Sequence, residues 1–172
     1  LQLKLKKCSL HSNNAPSEET SKRVGDALHL RSELLQEGYW LYVWRVTTKD
    51  GELLYVGRTG DSSSPHASAP FKRLGQHLSQ NDKQNPLRRH LEARGISPEI
   101  CEDFEFIAHG PVFEALTHAE DDDLETRKQR HYPVRDQIAA LEKALADALS
   151  EVGYDVLNTV RSRKPLDQSV WS

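Results

Sequence analysis

Cysteine is scarce in this sequence. Its 172 residues include only Cys8 and Cys101, which lie far apart and form no Cys-x-x-Cys pair. None of the eight histidines stands at a zinc-ligand spacing from them, which excludes the common zinc modules. So few cysteines predict a reduced, intracellular (cytoplasmic) compartment, with a single disulfide as the alternative.

Three further absences narrow the class of protein. No run of about 18 apolar residues is present, so no membrane-spanning helix is predicted, and no basic-then-apolar leader is recognisable at the start. No glycine-rich phosphate loop of the nucleotide-binding type occurs. The net charge is only −3. A polyanionic partner would therefore have to bind a local basic face.

Residue periodicity and turn signals predict an α+β protein with a small three-stranded sheet flanked by helices. Residues 1–37 are predicted as an N-terminal helical extension, and residues 161–172 as a basic tail. The extension comprises a strand over 1–9, a linker over 11–22 and a helix from Val24 to Glu37. The core, 38–160, comprises strands over 39–47, 52–56 and 102–110, helices over 70–80 and 85–95, and a long helix from Pro133 to Glu151. The acidic run over 120–125 is predicted as a solvated loop.

Two tyrosines are predicted to share one face of the sheet. A two-residue turn at Asp50-Gly51 would pair Val46 with Tyr55 and Trp44 with Gly57. Because side chains alternate along strands, Tyr42 and Tyr55 then face the same side, with a gap at Gly57. The plain alternative is that both tyrosines pack in the sheet with wet hydroxyls.

These residues resemble the GIY-YIG endonuclease family. "LYV" at 41–43 and "YVG" at 55–57, followed by Arg58, are similar to its paired motif. Elsewhere the order of elements over residues 39–160 also matches the family. The matching positions are Arg73 for its catalytic arginine, His77 one turn later as in the restriction-enzyme branch, Glu142 for its metal-binding glutamate, and Asn158 for the asparagine that ends its core.

Three departures accompany the resemblance. The first motif reads Trp40-Leu41-Tyr42, so its usual glycine is absent. Twelve residues separate Tyr42 from Tyr55, slightly more than the commonest spacing. Many members carry lysine where Arg58 stands.

The resemblance implies hydrolysis of phosphodiester bonds in DNA, with Mg²⁺ or Mn²⁺ held by Glu142. Arg73 would neutralise the phosphate charge, and Tyr42 would be the general base, assisted by His77. Tyr55 would orient phosphate or water. Arg58 would help to favour the Tyr42 phenolate, and Gly57 and Asn158 would shape the site.

The residues themselves support such a site independently. Arg73 and His77 stand four apart, so they project from one helix face, and an arginine fork suits phosphate. Residues 70–95 carry six basic and two acidic residues, which predicts a basic face. The predicted nucleic-acid contacts are Arg58, Lys72, Lys83, Arg88 and Arg89, with Arg161, Arg163 and Lys164 extending the surface. For any one residue, an ordinary solvated surface is the alternative.

Two other functions stay open at this point. One is a non-catalytic nucleic-acid-binding module on the same scaffold, which the absent glycine favours. The other is a nuclease for RNA or branched DNA, with its target chosen by residues 1–37 and 59–69. No oligomeric state is indicated by the sequence.

Overall fold

A computed structural model of the chain describes residues 28–61, 65–77, 79 and 85–171. The strand predicted over 1–9, the linker over 11–22, and Lys83 lie outside these residues. The strands are β1 (Gly38–Thr48), β2 (Gly51–Arg58), β3 (Asp103–Glu114) and β4 (Asp155–Val156). The helices are α1 (Pro70–His77), α2 (Pro86–Glu92), α3 (Leu124–Glu151) and α4 (Gln168–Trp171), with short 3₁₀ turns at Ser32–Leu35 and Pro98–Ile100.

The protein is α+β, but its described sheet has four strands rather than the three predicted. The strand order is β3-β1-β2-β4. The pairs β1–β2 and β1–β3 are antiparallel, and β4 is parallel to β2. The prediction missed β4 because a two-residue strand is too short to show an alternating pattern. A hydrogen bond from the Leu157 amide to the Leu54 carbonyl, at 2.7 Å, continues this pairing.

The predicted β1–β2 register was wrong by two residues. The turn consists of Lys49 and Asp50, so that Thr48 lies opposite Gly51. The Thr48 hydroxyl favours this turn because it accepts from the Asp50 amide at 3.2 Å and donates to the Gly51 carbonyl at 2.9 Å. Tyr42 therefore lies opposite Gly57. A shift of two residues leaves every side chain on its predicted face, so Tyr42 and Tyr55 do share one.

The sheet buries a hydrophobic cluster on each face. One cluster joins β1 and β2 to α3, the other joins them to α1 and α2. The α3 side contains Tyr39, Leu41, Val43, Leu54, Val56, Ile138, Leu141, Leu145 and Leu149. The opposite side contains Tyr42, Trp44, Val46, Leu53, Tyr55, Leu74, Leu87, Leu91 and Leu157. This strict alternation is the period of two that the sequence predicts.

Two contacts fix the end of β2. The ring of Tyr42 lies over Gly57 so closely that a Cβ atom there would meet ring atoms at 2.4–2.5 Å. On the open side of the strand, the Asn158 side chain donates to the Val56 carbonyl at 2.8 Å and accepts from the Val56 amide at 2.9 Å. The backbone that leads into Gly57 and Arg58 is thus held by Tyr42 of β1 on one side and by Asn158 on the other.

Predicted helix ends differ from the observed ones at both termini of the core. Within residues 28–37 only Ser32–Leu35 form a 3₁₀ turn, in place of the predicted helix, and Leu28 and Leu35 are exposed. The helix α3 begins at Leu124, because the Asp123 side chain accepts from the Thr126 amide, and Pro133 lies inside it. Two residues before Pro133, His131 is fully buried and its Nδ1 is 2.6 Å from the Tyr39 hydroxyl.

We expect Gly57→Ala to lower the free energy of unfolding by about 1–3 kcal/mol, because the added methyl group overlaps the Tyr42 ring. The matched control is Gly75→Ala in α1, where a Cβ meets no atom within 4 Å. That change should raise stability by about 0.5–1 kcal/mol. Urea unfolding of both variants measures the difference, and equal stabilities would contradict the close approach at Gly57.

Candidate active site

A cavity of about 130 Å³ opens where β2 ends, and residues from five elements and one loop line it. Its walls are Tyr42, Tyr55, Gly57, Arg58, Asp61, Arg73, Gln76, His77, Pro86 and Glu142. All six side chains predicted to be catalytic are among them. Because Tyr42 and Glu142 are far apart in sequence, only the tertiary fold brings them together.

The Tyr42 hydroxyl and the His77 imidazole form a buried pair. The hydroxyl oxygen is 2.9 Å from Nε2 of His77, and both residues are about 4% exposed. Burial, helped by the nearby Arg73 charge, lowers the pKa of His77 to about 4. Burial also raises the pKa of Tyr42 well above its ordinary value, against the opposing charges of Arg73 and Arg58. Both groups are therefore neutral near pH 7, and a single hydrogen bond joins the Tyr42 hydroxyl to Nε2 of His77.

The structure alters one premise of the expected chemistry. For Tyr42 to act as the general base, its cationic neighbours would have to favour the phenolate. Burial outweighs those charges, so the pKa of Tyr42 moves in the opposite direction. The neutral imidazole of His77 is instead the available proton acceptor.

Tyr55 lies beside the same imidazole. Its ring centroid is 5.1 Å from that of His77, in an edge-to-face arrangement. Burial raises the pKa of Tyr55 to about 12, with the Glu142 charge adding to the effect. Tyr55 is thus a hydrogen-bonding phenol at neutral pH, as expected for an orienting group.

Arg58 and Glu142 meet across the end of β2. Nε of Arg58 donates to Oε2 of Glu142 at 2.8 Å, and each side chain is only 16% exposed. Burial raises the pKa of Glu142, while Arg58 opposes that shift. The direct contact with the guanidinium favours the ionised carboxylate.

Arg73 has two partners that sequence reasoning missed. Its NH2 group forms an ion pair with Asp61, and its NH1 group donates to Oε1 of Gln76 at 3.0 Å. Both partners line the cavity. The sequence analysis gives Asp61 no role of its own, since it falls within residues 59–69, which are considered only for the choice of target. The signal for its role was its position three residues after Arg58, next to the motif.

A buried segment fixes the backbone that leads to Asp61. Thr59 is fully buried, its hydroxyl donates to the Gly38 carbonyl at 2.6 Å, and it accepts from the Trp40 amide at 2.8 Å. Gly60 follows with φ of +71°, and a Cβ there would meet the Tyr39 ring at 2.5 Å. Only glycine suits that position, which ties the Asp61 backbone to β1.

The predicted nucleic-acid contacts fall into different settings. Lys72 is exposed and lines an adjoining depression of about 550 Å³, which shares Asp61, Arg73 and Gln76 with the cavity. Arg89 is exposed too, and its charge opposes the raised pKa of Tyr55. Arg88 instead pairs with Glu92 and Glu99, which neutralise its charge locally. The basic surface expected from α2 is therefore weaker than the sequence count predicts.

The donor set at the cavity suits one kind of metal ion. Among the described residues, no group of three or more histidine, cysteine or acidic side chains is placed to hold a metal. Glu142 offers one carboxylate, and Mg²⁺ is commonly bound by one or two carboxylates together with water and phosphate oxygens. The residues thus fit Mg²⁺ or Mn²⁺ bound jointly with a phosphate, and they do not fit a closed zinc site.

No family model, curated protein or solved structure matches this chain. Within the described part of the chain, no helix is both long and apolar enough to cross a membrane.

We expect His77 to make the protein more stable at pH 7 than at pH 4.5. Its folded pKa of about 4 lies below the ordinary value of 6.5. Between these values the unfolded chain binds a proton that the folded chain excludes, so stability falls as pH falls. The shift corresponds to at most about 3 kcal/mol.

Urea unfolding of the wild type and of His77→Gln at both pH values isolates this contribution. Glu142 contributes with the opposite sign in both proteins, because its raised folded pKa makes stability fall as pH rises. The difference between the two proteins removes that contribution. An identical pH dependence in wild type and variant would show that the imidazole is not held neutral.

Proposed function

We propose that this protein is a divalent-metal-dependent endonuclease that hydrolyses phosphodiester bonds in DNA. The observation that carries the proposal is the meeting of Tyr42 and Tyr55, Arg58, Arg73 and His77, and Glu142 around one cavity. Phosphodiester hydrolysis needs a proton acceptor for water, positive charge around the phosphorane and an aid for the leaving oxygen. This set of side chains supplies the first two.

The Tyr42–His77 pair acts as a proton relay in this proposal. The attacking water gives a proton to the Tyr42 oxygen while the phenolic proton moves to Nε2 of His77, 2.9 Å away. Tyrosine does not have to ionise beforehand, which its raised pKa opposes. Its lowered pKa keeps His77 neutral at pH 7, so the lone pair of Nε2 is free to take the phenolic proton. The imidazole is a weak base, so it holds that proton only while negative charge develops on the phosphoryl group beside it.

Arg73 and Arg58 stabilise the charge that develops on the phosphoryl oxygens. Their guanidinium groups line the cavity and each carries a buried N–H group without a hydrogen-bond partner in the resting protein, at Nε of Arg73 and NH1 of Arg58. Phosphate oxygens would satisfy these donors once the carboxylates on the two guanidinium groups give way. A metal ion at Glu142 would add Lewis-acid stabilisation of a phosphoryl oxygen. The lysine-bearing depression beside the cavity gives the DNA backbone a path.

One observation favours a second candidate function. The Arg58 guanidinium already binds the Glu142 carboxylate at 2.8 Å, and this ion pair competes with a metal ion. A module that binds nucleic acid without cutting it would keep such a pair permanently. Action on RNA or branched DNA, and the intracellular location, also stay predictions.

We expect Tyr42→Phe to bind DNA normally and to cleave it at least about 10²-fold more slowly, because the phenylalanine ring keeps the packing but cannot relay a proton. The matched control is Tyr39→Phe. Tyr39 lies on the same strand, is fully buried and is also hydrogen-bonded to a histidine, but on the other face of the sheet. The Tyr39→Phe variant should be less stable than the wild type and should cleave DNA at the wild-type rate.

Single-turnover cleavage of both variants from pH 6 to 9 provides the measurement. The wild-type rate should change little over this range, since the relay needs only a neutral His77. A Tyr42→Phe enzyme with near-normal rates would remove the relay from the mechanism.

We expect Glu142→Gln to abolish Mg²⁺-dependent cleavage while DNA binding persists or tightens, because the amide keeps a hydrogen bond to Arg58 but is a poor metal ligand. The control Glu151→Gln removes the same charge at the exposed end of α3. Plasmid nicking with and without Mg²⁺, alongside binding in EDTA, measures both properties. DNA binding without nicking by the wild type would favour the non-catalytic module.

A further inference from the structure

Asp61 forms the second arginine–carboxylate pair of the cavity. Its carboxylate contacts NH2 of Arg73, the residue assigned to the phosphate charge, and it lies between the cavity and the lysine-bearing depression that adjoins it. The Asp61 side chain is 44% exposed, whereas that of Arg73 is 20% exposed. The contact therefore stands at the entrance, where an incoming anion would arrive.

The position of Asp61 is built into the fold. Thr59 and Gly60 tie the preceding backbone to β1 through buried hydrogen bonds and contact with the Tyr39 ring. Arg73 is held from its other side by Gln76. Asp61 and Arg73 thus face each other from two elements that are each anchored separately.

A carboxylate and a phosphate compete for the same donors. Both present a pair of oxygens to the planar guanidinium fork, so one can take the place of the other. With Asp61 on Arg73 and Glu142 on Arg58, the two cations and two carboxylates of the cavity cancel. A phosphate therefore finds no unneutralised arginine in the cavity until it displaces a carboxylate.

We propose that Asp61 is a phosphate substitute that must leave Arg73 before a phosphodiester binds. It is a positioning residue, because it keeps the guanidinium in the cavity, and it sets the affinity threshold for phosphate. Phosphodiester as the ligand rests on the proposed function, whereas the exchange itself applies to any phosphate. A ligand with several backbone phosphates can still bind, because its contacts elsewhere on the protein offset the free-energy cost of displacing Asp61 from Arg73.

Inorganic phosphate is the probe for the test. Its binding is followed by NMR through the side-chain N–H signal of Arg73, assigned from its loss in Arg73→Lys. Asp61→Asn should bind phosphate about fivefold more tightly than wild type, the size typical of one partly exposed ion pair. Asp61→Glu, which keeps the charge, should stay near the wild-type affinity.

The matched control is Asp155→Asn. Asp155 pairs with Arg94 at 51% exposure, close to that of Asp61, but outside the cavity. It should leave phosphate affinity unchanged. In an Arg73→Ala background, followed by calorimetry, Asp61→Asn should give no gain, because the partner of the exchange is gone.

Three results would overturn the proposal: unchanged or weaker phosphate binding by Asp61→Asn, an equal gain in Asp155→Asn, or a gain that persists without Arg73. A merely structural role for Asp61 would lower the urea midpoint without tightening phosphate. Plasmid nicking by the wild type separates the two proposals. Phosphate exchange without nicking would contradict the nuclease alone, and nicking without the predicted exchange would contradict the role of Asp61 alone.

Discussion

The close approach of the Tyr42 ring to Gly57 is the constraint on which the rest of the site depends. Because Gly57 has no side chain, the Tyr42 ring can lie across the end of β2, in the space that a Cβ atom would fill. Its hydroxyl then reaches His77 on α1. The next residue, Arg58, alternates to the other face of the sheet and meets Glu142 on α3. The absence of a side chain at Gly57 thus allows groups from both faces of the sheet to line one cavity.

Burial determines the protonation states around this cavity more than its charges do. Desolvation keeps the Tyr42 phenol neutral although two arginines lie nearby. It keeps the His77 imidazole neutral with the help of the Arg73 charge. Those arginines are matched by two carboxylates, since an unpaired charge in a partly dehydrated site is costly. The resting site is therefore electrically balanced, and its reactivity depends on a ligand that rearranges the pairs.

The side chains that meet at the cavity were easier to predict from the sequence than the strands and turns that bring them together. The shared face of Tyr42 and Tyr55 survived a wrong register because strand side chains repeat every two residues. Helical spacing likewise placed Arg73 with His77. The strand β4 and the partner Asp61 were missed, because a two-residue strand and a loop residue carry no periodicity. The neutralised charge of Arg88 was missed because Glu99 pairs with it only after the chain folds.

Pro133 divides α3 into a first segment, before the proline, and a second segment after it. Pro133 has no amide hydrogen, so the carbonyl of Gln129 receives no helical hydrogen bond from it. The segment before Pro133 is secured to the sheet by the contact between His131 and Tyr39. The segment after it carries Glu142 and most of the buried leucines of the helix. We therefore expect the first segment to open without moving the carboxylate of the cavity, so that its amide hydrogens exchange faster than those after residue 133.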